Sequence, residues 1–459
     1  MSEPHNSEIR IGIIGSVDSG KSTVTGVLKK NCLDNGKGLA RSYVMKHLHE
    51  KESGKTSTVS YNDIVIKNDD GFIKKFIFVD LAGHEGYIKT TLYGLSGLSL
   101  NYIILVIGAN MGINKITKEH FLIARMLKIP IIIVITKVDI CPENILNQTI
   151  KNIQQFITTK INKNKLLNIE IDNDEKLFII KQFDNYKNNI VPSDDEYLKK
   201  VFYNPKTNSY FIYKSNTELY NIFKNENITE IKFEDNINKL KTIIISNKTG
   251  YNIDLLKQTI YNLEPKYDLS SIERSTDVNY LIEETYNIPG VGLVLYGYLK
   301  TGEINVNDKL HIGPFNGEFY DIIVKNIRNK YDTNISTLFY GTSGCLNIKV
   351  INKKLHLTRN NFRKGLRITS SKKSYYEFKA DIYILHHPTT IKENYQPNIH
   401  CGTTTQVAKI CDNVMLRSGY KANVKFRFLF RPECIEKDQY ILFRENLTKG
   451  IGKITEIIG

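Results

Sequence analysis

The 459-residue chain has no tryptophan, 11 prolines and 6 cysteines. The cysteines (Cys32, Cys141, Cys345, Cys401, Cys411, Cys434) stand far apart and form no C-x-x-C pair. That spacing argues against a zinc site and a disulfide framework, and agrees with a reducing cytosol. No apolar run approaches the ~20 residues that a spanning helix needs; the longest are strand-length, such as Ile131 to Ile135. The first ten residues, Met1 to Arg10, are polar and lack the apolar middle of a secretion signal. Secreted and membrane-spanning classes are excluded as first readings, and a cytoplasmic location is expected (the host's cytoplasm for a viral chain).

Acidic residues are in deficit. Lys and Arg number 63 against 48 Asp and Glu, a formal charge of +15. One reading is an electrostatic surface for RNA or another polyanion. The other is codon bias, because a chain rich in Asn, Ile, Lys and Tyr is what AT-rich codons give. Net charge speaks to non-specific binding and not to fold.

The first third alternates short, continuously apolar runs with amphipathic segments. Ile9 to Ile14, Phe76 to Val79, Tyr102 to Ile107 and Ile131 to Ile135 are β-branched and apolar on both faces, as strands of a covered parallel sheet are. Glu143 to Ile157 puts Leu146, Ile150, Ile153 and Ile157 on one helical face, and Thr117 is the expected cap of a helix running through Leu127. Val59 to Ile66 and Phe72 to Val79 flank Asn68-Asp69-Asp70-Gly71, a hairpin signal. From about residue 160 to 240 the pattern degrades into Asn, Lys, Asp and Tyr, read as a partly structured insertion. Thr242 to Ile245 and a helix from Ile253 to Leu263 close this part, stopped by Pro265. Short strands punctuated by turn residues follow to the C-terminus, and the basic, serine-rich stretch Thr369 to Ser374 divides them. The expected layout is an α/β domain over 1–265 carrying the insertion, then β-barrels over 273–372 and 375–459.

Directly after the first strand comes Gly15-Ser16-Val17-Asp18-Ser19-Gly20-Lys21-Ser22-Thr23, which fits G-x-x-x-x-G-K-[ST]. Its backbone N–H groups suit phosphates, Lys21 suits the β- and γ-phosphates, and the Ser22 hydroxyl suits Mg²⁺. Thr136-Lys137-Val138-Asp139 follows a buried strand, where a carboxylate can accept both the N1–H and the 2-amino hydrogen of guanine. Adenine offers neither, so the pairing selects GTP or GDP. Ser246-Asn247-Lys248 follows the next strand and matches a third base-binding element. Asp80-Leu81-Ala82-Gly83-His84 ends the hairpin: Asp80 is the expected water-mediated holder of Mg²⁺, the Gly83 N–H the γ-phosphate sensor, and His84 the catalytic residue that orients water. Thr56, in the polar loop Gly54-Lys55-Thr56, is the candidate second protein ligand to Mg²⁺.

These residues resemble a translational GTPase of the elongation factor Tu / elongation factor 1-alpha type. The P-loop reads G-S-V-D-S-G-K-S-T against the family's G-H-V-D-x-G-K-[ST]-T, and Asp80 to His84 reads D-L-A-G-H against D-x-P-G-H, with Ala82 in place of the proline. Ile288-Pro289-Gly290-Val291-Gly292 through Tyr298 is similar to its second-domain strand signature. Within the family the chain most resembles the branch called GTP-binding proteins 1 and 2, through His47-Leu48-His49-Glu50, Thr117-Lys118-Glu119-His120 and Leu385-His386-His387-Pro388-Thr389-Thr390. The match with the branch pattern speaks against reading the paired histidines as a metal site. The resemblance implies an α/β P-loop GTPase domain, doubly wound with a mostly parallel sheet, followed by two β-barrel domains. It also implies GTP hydrolysis coupled to switch loops, with tRNA or the ribosome as partner, a guanine nucleotide exchange factor as a further one, and neither membrane nor DNA. Two departures stand out. Lys55 replaces the apolar residue before the switch threonine, and Asp139 lies 107 positions before Ser246. Lys55 also supports an alternative, a GTP-dependent RNA-binding adaptor that hardly hydrolyses; a related GTPase with a non-ribosomal partner is the third reading.

Overall fold

The computed structural model describes residues 8–45, 50, 58–68, 71–163, 177–179, 200–204, 209–213, 229–231, 240–265, 277–329, 332–351, 357–445 and 448–459. Two compact units emerge: Ile11–Tyr87 with Tyr102–Leu263, and the residues up to Arg10 with Ile88–Asn101 and Glu264–Gly459.

The first unit is built on β1 (Ile9–Gly15), α1 (Lys21–Lys30), α2 (Leu39–Ser42), β2 (Ser60–Lys67) and β3 (Ile73–Asp80). Helix α3 (Ile88–Gly97) groups with the other unit, and then come β4 (Tyr102–Gly108), α4 (Lys115–Met126), β5 (Ile131–Thr136) and α5 (Glu143–Lys163). The described insertion residues form β6 (Leu177–Ile179), β7 (Lys200–Asn204), β8 (Ser209–Tyr213) and β9 (Thr229–Ile231), before β10 (Leu240–Ile244) and α6 (Ile253–Tyr261). The central sheet runs β2-β3-β1-β4-β5-β10-β6. Pairing is parallel from β1 through β4, β5 and β10 to β6, while β2 and β3 form the antiparallel hairpin that Asn68 to Gly71 predicts. Every residue of β1, β4 and β5 is buried, which is why these strands read as unbroken apolar runs.

One expectation needs correction. Helix α4 is capped by Asn114 and not Thr117: the Asn114 Oδ1 accepts from the Thr117 N–H at 2.9 Å and from the Thr117 hydroxyl at 2.9 Å. Asparagine wins because its carboxamide reaches the N–H three residues on, while Thr117 is drawn into the first turn. Among the described residues of the insertion, β6 pairs in parallel with β10 and extends the central sheet, and β8-β7-β9 form a separate antiparallel sheet. The remainder of the 160–240 region lies outside the described residues, as do Thr56, Lys55, His47 and His49.

In the other unit, β11 (Asn279–Ile288), β12 (Gly292–Thr301), β13 (Glu303–Asn305), β14 (Lys309–Phe315), β15 (Glu318–Asn329), β16 (Asn334–Ile335), β17 (Thr337–Phe339), β18 (Thr342–Val350) and β19 (Arg367–Thr369) make the first barrel. Its sheet order β14-β19-β11-β12-β18-β15 closes through β14–β15 pairing. A core of Tyr280, Leu295, Leu299, Ile312, Val324, Leu346 and their neighbours fills it. The second barrel closes as β20 (Glu377–His386), β23 (Lys421–Phe428), β22 (Thr404–Ile410), β21 (Asn398–Cys401), β24 (Tyr440–Glu445) and β25 (Thr448–Ile458). Alternation in β20 and β22 sends Phe378, Ala380, Ile382, Ala408 and Ile410 inward, as the period of two in the sequence requires. Helix α3 packs on this barrel, with the Ser96 hydroxyl donating to the Gly402 carbonyl at 3.2 Å and the Lys364 ammonium 3.8 Å from the Tyr93 ring centre.

Candidate functional site

The phosphate loop joins β1 to α1. Asp18 takes a left-handed backbone (φ 59°), and the Ser19 hydroxyl donates to the Ser16 carbonyl at 2.9 Å, pinning the turn. Lys21, the first residue of α1, is buried and donates through Nζ to the Ser16 carbonyl at 2.7 Å. Burial pulls its pKa down to about 8, against the opposing pull of the Asp80 and Asp18 charges. Gly83 lies so close that a Cβ there would land on Lys21 Nζ and the Gly15 carbonyl. No side chain fits at that position, which is the physical reason a glycine precedes His84.

Asp80 is the last residue of β3 and is 1% exposed. Its Oδ2 accepts from the Ser22 hydroxyl at 2.7 Å. Two hard oxygen donors thus sit side by side at the lysine end of the loop, a set that fits Mg²⁺. Among the described residues no cluster of three or more His, Cys, Asp or Glu side chains is placed to hold a metal ion. His84 is exposed; its Nδ1 accepts the Gly86 N–H at 3.0 Å and its ring tilts against Tyr87 at 5.8 Å.

At the opposite end, Lys137 adopts a left-handed backbone (φ 62°) between β5 and the short turn Val138–Ile140. The Thr136 hydroxyl donates to the Ser19 carbonyl at 2.6 Å, which ties this loop to the phosphate loop. The Ser246 hydroxyl donates to Asp139 Oδ1 at 2.8 Å, fixing the carboxylate, and accepts the Thr249 N–H at 3.1 Å. Asn247 is buried, and its Oδ1 has no hydrogen-bond partner among the described residues.

A cavity of about 420 Å³ connects the two ends. Val17, Asp18, Gly20, Lys21, Ser22, Thr23, Gly83, His84, Lys137, Asp139, Asn247 and Lys248 line it, so most residues singled out by spacing converge on one space. Gly15, Ser19, Asp80, Thr136 and Ser246 stand behind that lining and hold it. Asp34, Gly36, Lys37, Gly38 and Arg41 also line the cavity, and motif reading missed them. The signal was present in Asp34-Asn35-Gly36-Lys37-Gly38, a turn-forming run with cations that belongs to no standard nucleotide motif.

A phosphate loop at a strand–helix junction, an Asp-x-x-Gly-His strand end and a guanine-selective pair of loops around one cavity define a P-loop GTPase, which binds GTP and GDP. The family model for the elongation factor Tu GTP binding domain matches residues 6–266. GTP-binding protein 1 of Xenopus laevis is 34% identical over 98% of this chain and 64% of its own length. GTP-binding protein 2 of Mus musculus is 30% identical over 98% of this chain and 69% of its own. The chain belongs to this translational GTPase family, and it spans about two thirds of the length of these relatives. Translation elongation factor SelB from Methanococcus maripaludis, solved with the GTP analogue GppNHp, has the same fold: TM-score 0.62 at 18% identity, covering 98% of this chain and 80% of that one.

Proposed function

We propose that the chain hydrolyses GTP to GDP and phosphate as a switch-type GTPase acting on tRNA or the ribosome in the cytoplasm. The observation that carries this reading is the convergence of Lys21, Ser22, Gly83, His84 and Asp139 on one cavity. Asp139, oriented by Ser246, selects guanine, and Lys21 meets the phosphates, whose charge favours its protonated form. Ser22 and Asp80, with Thr56 outside the described residues, hold Mg²⁺, which neutralises charge on the β- and γ-phosphate oxygens when bound. His84 orients rather than deprotonates. With Nδ1 accepting from Gly86, the neutral ring carries its proton on Nε2 and offers a donor to the attacking water or a γ-phosphate oxygen.

The partner follows from the relatives and from charge. Archaeal elongation factor 1-alpha from Methanobrevibacter smithii is 25% identical over 87% of this chain. A net charge of +15 suits a polyanionic partner. An exchange factor is a further expected partner, and neither DNA nor a membrane is expected as one. The test is GTP hydrolysis with and without purified ribosomes, each with and without aminoacyl-tRNA. Acceleration by ribosomes supports the reading. Its absence, where an elongation factor control responds, overturns the ribosomal part.

A further inference from the structure

The segment between α1 and α2 is fixed at both ends. The Asp34 N–H donates to the Asn247 carbonyl at 2.8 Å, joining it to the base-binding loop. Asp34 Oδ2 accepts the Gly36 N–H at 2.9 Å and Oδ1 the Ala40 N–H at 2.8 Å, while Asn35 Oδ1 accepts the Lys37 N–H at 2.8 Å. At the other end Ala40 is fully buried against α1, so close that Gly26 has no room for a Cβ. Gly26 lies five positions after Lys21, so the segment runs along the cavity from the base loop to the second turn of α1.

From this rigid segment Lys37 and Arg41 line the nucleotide cavity and also an adjoining cavity of about 300 Å³ with Asn35, Leu39, Ser42 and Met45. Neither charged head has a hydrogen bond or ion pair among the described residues. Two cations held ready at the solvent side of an anion-binding cavity are pre-organised to meet negative charge there. We propose that Lys37 and Arg41 form an outer cationic clamp over the proximal phosphates of the bound guanine nucleotide. The clamp rests on the reading of the cavity as the nucleotide site. It sets the residence time of GTP and GDP alike, because both nucleotides carry the proximal phosphates that it covers. Together with Lys21 it holds the phosphate chain from two sides.

The test is release of radiolabelled GDP and GTP, chased with unlabelled nucleotide, from wild type and from the Lys37→Gln/Arg41→Gln protein. Charge-assisted contacts of this kind predict release about tenfold faster for both nucleotides. The difference shrinks in high salt, which screens exposed charges, and Lys37→Arg keeps the wild-type rate. Unaltered thermal melting separates the effect from misfolding. Competition by guanosine, which has no phosphate, should be equal in both proteins. Wild-type release from the double variant, faster release confined to GTP, or an equal loss for guanosine would overturn the clamp. A wild-type protein that retains no GDP at all would instead overturn the nucleotide site itself.

Discussion

Arg10 Nη1 lies 2.6 Å from Glu283 Oε1, and both side chains are essentially excluded from water. Arg10 also donates to the Leu98 carbonyl at 3.0 Å and the Ser343 hydroxyl at 2.8 Å, lies 3.5 Å from Glu8 and covers the Tyr298 ring at 4.3 Å. Within one unit, this guanidinium therefore ties the residues up to Arg10 to the end of α3 and to the first barrel. Two carboxylates share a single cation in a dry site, an arrangement whose stability depends on every member being present.

Removing Glu283 as Glu283→Ala should cost about 3 kcal/mol of unfolding free energy, as breaking one buried pair does. Arg10→Met should cost more, because it leaves both Glu8 and Glu283 buried without that cation. Denaturant unfolding measures both losses. Equal losses for the two variants would mean that the sites act independently.

At the catalytic end, His84→Ala should abolish partner-stimulated hydrolysis while GTP affinity stays at the wild-type level, since His84 is exposed and bonds only the local turn. His84→Gln, which retains a side-chain N–H donor, should keep a measurable fraction of the rate if the ring orients water. A general base predicts that both variants are equally dead. Single-turnover rates distinguish the two.

Gly83→Ala should impair GTP binding more than its size implies. The added methyl group competes with Lys21 Nζ for the same space and must displace the ammonium from the phosphate loop. Equilibrium titration with GDP and GTP reads the effect, and unchanged affinity would show that Lys21 moves freely.

Asp139→Asn should exchange nucleotide preference. The carboxylate accepts from guanine N1–H and the 2-amino group, while an asparagine amide donates to the 2-oxo group of xanthine. Loss of GTP with gain of XTP in competition binding supports Asp139 as the base reader; loss of both would mean that its bond with Ser246 serves folding.

His400 is 1% exposed in the second barrel, and burial, reinforced by the Lys89 and Lys364 charges, lowers its pKa from 6.5 to about 4. A folded-state pKa below the unfolded value means the unfolded chain binds the proton first. The stabilisation is complete above pH 6.5 and is lost as pH falls towards 4, amounting to about 3 kcal/mol. His400→Gln should therefore flatten the stability profile between pH 7 and 4 relative to wild type, measured by urea unfolding across that range.

Sequence reading singled out the loops that line the cavity because their pattern is local. Gly15 to Thr23, Asp80 to His84, Thr136 to Asp139 and Ser246 to Lys248 each occupy a few consecutive residues at a strand end, where spacing alone implies position. The barrels were legible as turn-punctuated strands, but their closure depends on pairings such as Ile312 with Ile368 that no local pattern encodes. Asp34 to Arg41 escaped because its role depends on a tertiary bond to Asn247. Arg10 escaped for the same reason: in the sequence it is one polar residue inside an apolar strand, and its partners Glu283 and Ser343 lie hundreds of positions away.

The parallel addition of β6 to β10 bears on how the protein can be shortened. Leu177–Ile179 occupies the hydrogen-bonding edge of β10, so removing the whole insertion exposes a row of unpaired backbone groups on β10, the strand that leads into Ser246. A bare edge of that kind recruits strands from neighbouring molecules. Truncations that retain Ile179 and its register with Thr242 should remain monodisperse, whereas a deletion taken back to residue 165 should yield self-associating protein.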